Sequence, residues 1–174
     1  MSGNCGFNCE IGEVMGFAVG IAPSDLHGQA NTGLWVNANG GYRIGVMFIK
    51  NVGTSTQDPV LTFQQAQDNQ GTNAKALNYT RYRIMSNTSL SQTTLTQLPV
   101  TIVAATNTLT LTGLATSYAV VLVEFKETDL DINNGFNHIQ CSIANVGANA
   151  QIGEVHYMAF GLDFAQATPQ NILN

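Results

Sequence analysis

AVVLVEF (residues 119–125), FNHIQCSIAN (136–145) and IGEVHYMAFGLDF (152–164) follow one another along the chain, separated only by KETDLDINNG and VGANAQ. The first segment carries apolar, β-branched residues on both faces and reads as a buried strand. In the second, Ile139, Cys141 and Ile143 alternate with His138, Gln140 and Ser142, the period of a half-buried strand. The third is uncharged apart from Glu154 and Asp163. Thr128 is placed to cap a single helical turn through Asn134, and Gly135 supplies the left-handed residue that ends it. The reading puts Ile139, Cys141 and Ile143 in a core shared with Val121, Val123 and Phe125. Nothing in the stretch carries a catalytic pattern.

Outward from this run, the rest of the chain repeats the theme. VMGFAVGIA (14–22) is a strand stopped by Pro23, and residues 23–41, with Gly28, Gly33, Gly40 and Gly41, form a long loop broken by a short strand at 34–36. Residues 43–52 make a buried strand with Ile44, Val46 and Phe48 on one face and Met47 and Ile49 on the other. Pro59 opens a strand over 60–66, and QDNQGTN is a turn. Residues 75–85 return as one strand, Leu77, Tyr79, Arg81 and Arg83 facing one way, Asn78, Thr80, Tyr82 and Ile84 the other. Residues 86–99 are polar and weakly patterned, and short strands follow at 100–105 and 108–114. No stretch sustains a 3.6-residue period over ten residues. Eight or so short strands between Gly, Asn and Pro turns predict an all-β fold, a single β-sandwich of jelly-roll type with an irregular N-terminal arm. One domain is expected, residues 1–40 being the arm, first strand and long loop, and 41–174 the remainder of the sandwich. Ile-Gly-Glu-Val occurs at both 11–14 and 152–155, as though the first and last strands held similar sites; in a jelly roll those two lie side by side.

Charged residues make up 10% of the 174, against roughly 25% in an ordinary soluble domain. Six basic and eleven acidic side chains are few for the about 8,000 Å² that a folded monomer of this mass exposes. Asn, Gln, Thr, Ser and Gly take their place. Such a surface fits a secreted or virion exterior, or a subunit whose flanks are covered by neighbours. A net charge of −5 argues against a nucleic-acid partner, which needs a basic patch. No apolar run approaches the roughly 20 residues of a membrane span. The apolar 14–22 run follows Glu10 and Glu13 with no basic residue before it, unlike a secretory signal. Of three cysteines, Cys5 and Cys9 either pair or stay reduced, and Cys141 reads as a small core residue.

Asp129, Asp131 and Asn133 have the spacing that opens a calcium loop, but Asn134 stands where the glycine belongs and Gln140 where the bidentate Glu belongs. A capped polar turn is the better reading. Cys5, Cys9 and His27 match no common zinc spacing and lack a fourth ligand. Asp25 and His27 share a loop without a nucleophile to join them, and His156 reads as a packed or surface imidazole within a strand. Asn78 and Asn87 begin glycosylation sequons of a kind expected by chance in so Asn- and Thr-rich a chain. Trp35, Tyr42, Tyr79, Tyr82 and Tyr118 could make a sugar platform, though core or interface aromatics are commoner. No catalytic, cofactor-binding or metal-ligating residue is assigned.

Two stretches, LTFQQAQDNQGTNAKALNYTR (61–81) and VEFKETDLDINNGFNHIQCSIANVGANAQ (123–151), resemble auxiliary head proteins of tailed bacteriophages. The resemblance rests on Gln65 and Ala66, Gly71 and Thr72, and Ala74 to Leu77, together with Asp129 to Asp131, Asn133 to Phe136 and Val146 to Ala150. It spans roughly residues 44–160 and leaves the first forty unmatched. Such decoration, or cement, proteins imply a non-enzymatic structural role on the outer surface of the virion capsid, after synthesis in the host cytoplasm. The implied partners are the major capsid protein and further copies of the chain, a homotrimer being favoured, without nucleic acid, membrane or cofactor. Residues 1–40 are expected to add little to an isolated sandwich and to contribute to docking. The rival expectation is a virion recognition module that binds a host glycan or receptor.

Overall fold

Alternate side chains turn inward along the strands at 43–50, 60–66, 118–126 and 152–160, and that alternation helps to build two antiparallel sheets. A computed structural model describes residues 15–40, 43–87 and 99–160. Its strands are β1 (Met15–Asp25), β2 (Asn31–Thr32), β3 (Val36–Asn37), β4 (Arg43–Lys50), β5 (Val60–Ala66), β6 (Lys75–Ala76), β7 (Tyr79–Asn87), β8 (Val100–Thr106), β9 (Thr108–Thr110), β10 (Tyr118–Lys126), β11 (His138–Ile143) and β12 (Ile152–Phe160). The first sheet, A, has the order β1-β12-β4-β10-β7-β8; the second, B, runs β2-β11-β5-β6, with β3 also on β11 and β9 on β5. The described chain is therefore an all-β sandwich, and its only helical pieces are two 3-10 turns. The first and last described strands, β1 and β12, do pair side by side.

The core lies between the sheets. Ile44, Val46 and Phe48 of β4 and Val121, Val123 and Phe125 of β10 meet Leu61 and Phe63 of β5 and Ile139, Cys141 and Ile143 of β11. Phe63 stands edge-on to both Phe125 and Tyr79. Tyr157 of β12 ties the layers together: its hydroxyl accepts the Cys141 N–H at 2.8 Å and donates to the Leu34 carbonyl at 3.3 Å. The inward set expected for β4, β10 and β11 is the one observed.

Several local expectations are corrected. Pro23 does not stop β1, which continues to Asp25 with register shifts after Val19 and Ile21. As an edge strand, β1 needs partners on one side only, so a missing N–H is tolerated. β1 is the first strand expected within residues 1–40, and the loop expected after it also carries β2 and β3, which pair with β11. The short strand expected at 34–36 is Val36–Asn37. It prolongs β2 along β11 after an interruption in which the Gly33 N–H donates to the Cys141 carbonyl at 3.0 Å. A Cβ on Gly33 would lie 2.5 Å from that carbonyl oxygen, which is why glycine serves there.

Residues 75–85 are two strands, because β6 belongs to sheet B and β7 to sheet A. The chain crosses between the layers at Leu77 and Asn78, with Leu77 and Tyr79 both buried. Beyond a register shift between Tyr79 and Arg81, the inward parity changes, so Tyr82 and Ile84 meet the core in place of Arg81 and Arg83. The 108–114 strand ends at Thr110. The helical turn expected from Thr128 is two 3-10 turns, Glu127–Asp129 and Ile132–Asn134. Asp129 accepts the Lys126 N–H at 2.8 Å to start the first, and Gly135, at φ +82°, closes the second as expected. β11 is covered on both faces: His138 and Gln140 are also buried, Gln140 donating to the Gly33 carbonyl at 2.7 Å.

Candidate interaction surface

Sequence patterns single out the turn after β5 and the loop after β10, and the fold places these at one end of the sandwich. β5 carries Gln65 beside Lys75 of β6. The Lys75 ammonium pairs with the Asp131 carboxylate and sits 3.7 Å over the Phe136 ring. Gln65 accepts the Asp131 N–H at 2.9 Å and donates to the Ala76 carbonyl at 3.2 Å. Gln67 donates to the Asn134 carbonyl at 2.8 Å and accepts from the Asn73 amide at 2.6 Å. Two loops more than fifty residues apart are thus clasped into one tip.

Each loop is also braced internally. The Asp68 carboxylate accepts the Gln70 and Thr72 N–H groups, both at 2.9 Å, and the Thr72 hydroxyl at 2.6 Å. These donors, the Thr72 hydroxyl first, hold its carboxyl below the usual range. The Asp131 carboxyl is lowered chiefly by Lys75 and then by Asn134. Such a tip presents fixed amides, hydroxyls and a partnered ion pair.

The other candidates fall elsewhere. Asp129 and Asp131 point their carboxylates at the Lys126 N–H and at Lys75, acting as turn braces. Asp25 receives the Gln151 N–H at 3.0 Å and the His27 N–H at 3.1 Å, and lies 2.7 Å from the His27 ring. Those bonds, Gln151 foremost, lower its pKa. Cys5, Cys9 and Tyr42 lie outside the described residues, and among those described no three His, Cys, Asp or Glu side chains gather as metal ligands. His156 is packed, stacking on Phe17 at 5.1 Å with Nε2 3.3 Å from Glu154. Tyr79 is a core residue, edge-on to Tyr82 and donating to the Thr108 carbonyl at 3.0 Å, so the proposed aromatic set does not form one platform. Burial raises the Tyr79 hydroxyl to about 12. Asn78 is exposed at the crossover and Asn87 ends β7.

Lys50 carries a role that pattern reading missed. It ends β4 facing inward, buried, and donates to the carbonyls of Leu114 at 2.8 Å, Ala115 at 3.3 Å and Ser117 at 2.6 Å. Its place in the inward series after Ile44, Val46 and Phe48 was the available signal. Burial lowers its pKa to about 8, against an opposing pull from Asp58. No family model matches the chain, and no curated protein or solved structure matches it.

Proposed function

We propose that the chain is a structural virion protein that decorates and reinforces the outside of a tailed-phage capsid, working without catalysis. The observation that carries this reading is the clasped tip. The two stretches that resemble phage head decoration proteins meet there through Lys75, Asp131, Gln65 and Gln67. The low charge adds support, since a surface of amides and hydroxyls packs closely against neighbours without like-charge repulsion. Each copy would bridge adjacent subunits of the major capsid protein, and copies, associating as trimers, would gain strength from many weak contacts around a closed lattice. Jelly-roll connectivity is part of the same proposal. So is a share of the docking contact in residues 1–40.

The test is binding to purified capsids that lack the protein. Co-sedimentation at saturable, lattice-defined stoichiometry is expected, with the copies seen on the outer shell by cryo-electron microscopy. Deleting residues 1–14 removes none of the described strands from the sequence and is expected to weaken retention. Failure to bind shells, together with saturable binding to host glycans, would replace this reading with the recognition module.

A further inference from the structure

The chain holds two Asn-Gly pairs, Asn39–Gly40 and Asn134–Gly135, and the fold treats them in opposite ways. An asparagine followed by glycine is open to ring closure, because no Cβ on the second residue hinders approach to its backbone nitrogen. Asn134 is held at the groups that the reaction uses. Its side-chain amide donates to the Asp131 carboxylate at 2.8 Å, and the Gly135 N–H donates to the Ile132 carbonyl at 2.8 Å. Its own carbonyl accepts from Gln67 at 2.8 Å, at the end of the second 3-10 turn.

Asn39 has none of this. It lies with Gly40 in an exposed turn on the link from β3 to β4. Its backbone N–H donates to the Asn37 side chain at 2.8 Å. Neither its side-chain amide nor the Gly40 N–H has a partner among the described residues.

We propose that Asn39 is a site of spontaneous deamidation, and that the clasped loop shields Asn134 from the same reaction. The Gly40 nitrogen attacks Cγ of Asn39. A bond forms between that nitrogen and Cγ, the Cγ–Nδ2 bond breaks, and Nδ2 leaves as ammonia with the proton that Gly40 gives up. Water then opens the succinimide ring without any change of oxidation state. Opening at Cγ gives aspartate in a normal backbone; opening at the former backbone carbonyl gives isoaspartate, with the chain running through the side chain.

Either product adds a carboxylate to a chain of net charge −5. The isoaspartyl form also lengthens the link from sheet B to sheet A by a methylene. Ala38, buried and with its N–H on the Asn137 carbonyl at 2.7 Å, anchors the turn on the β3 side. The change is therefore confined to the exposed turn, and the strand pairing is kept. Copies of the protein acquire a charge difference with age, whatever surface they occupy, so the inference does not rest on the function proposed above.

The experiment keeps the full chain in mildly alkaline buffer, native or in urea, and compares tryptic digests over time with a starting sample. Asn39 falls in the peptide that ends at Arg43, and Asn134 in the one that begins at Glu127. Fragment masses then locate each replacement of amide by acid. Native protein is expected to convert Asn39 about tenfold or more faster than Asn134, whose reaction must await local opening of its loop. In urea the two pairs are expected to react at like rates. Asp131→Ala removes the acceptor of the Asn134 amide, and is expected to speed Asn134 in the native protein while Asn39 keeps its rate. Asn39→Gln is expected to remove the early acidic variant on isoelectric focusing. A native Asn39 that stays intact, equal native rates at the two pairs, or an Asn134 rate untouched by Asp131→Ala would overturn the proposal.

Discussion

Cys141 reports directly on the register of β11. It is fully buried between the sheets, and burial pushes its thiol far above the ordinary range. Native protein with Cys5 and Cys9 replaced by Ser is expected to resist thiol reagents until unfolded; rapid labelling would contradict the inward assignment. Its neighbour Ile143 is equally enclosed, so Ile143→Ala is expected to lower unfolding free energy by about 2–5 kcal/mol in a denaturant titration. Lys50 gives the residue scale its pH dependence. Its folded pKa of about 8 lies below the ordinary lysine value of 10.5, so between those limits the unfolded chain binds more protons. Stability then rises with pH from about 8 towards 10, by on the order of 2–3 kcal/mol in full. Denaturant midpoints across pH 7–10 check this, and Lys50→Met is expected to flatten the slope. Above about pH 10 the raised Tyr79 acts the other way, because the unfolded chain loses that proton first.

Among the elements, the clasp between the β5–β6 turn and the β10–β11 loop makes a testable unit. Asp68 and Asp131 have lowered pKa values, so their contribution is present above the unfolded carboxyl value near 4. It is lost as pH falls through the folded values. Asp131→Asn is expected to shrink that acid-side loss and to raise hydrogen exchange at Leu130 and Asp131, leaving β4 and β12 protected. Equal exchange in both proteins would show that the clasp does not brace the loops. The strands themselves were largely legible. Pro59 and the polar turn after Ala66 bracket β5, whose span is as expected, and the alternation in β10 and β11 gave their inward residues. Pairing was not legible, because Lys75 and Asp131 carry no local mark of each other. The crossover at Asn78 was missed for a related reason. Leu77, Tyr79 and Arg81 keep strand parity in sequence while the chain passes from one sheet to the other.

For the whole molecule, removal of everything before Arg43 is now expected to be disruptive. It takes away β1, leaves β12 without an outer neighbour, and strips Leu26 and Val36 from the core. Loss of a cooperative thermal transition by circular dichroism is the expected result; a truncated chain that melts sharply near the intact temperature would return the segment to the status of an arm. At this scale the sequence periodicity marks which residues alternate but not which face a second sheet covers. Met47 and Ile49 look as core-like as Val46 and Phe48 in sequence, yet they lie on the outer side of sheet A.

β12 occupies the second place in sheet A, between β1 and β4, and this has a consequence for how the chain is made. The sheet is completed by the last described strand, so on a ribosome β1 and β4 emerge long before the strand that joins them. At about 5–20 residues per second, the interval is several seconds or more, during which two apolar strands wait with open edges. Non-local pairing of this kind also slows folding after release, towards the milliseconds-to-seconds range of sandwiches. The nascent chain is therefore a natural client for a chaperone, and truncated translation products lacking β12 should be the aggregating species in an expression culture.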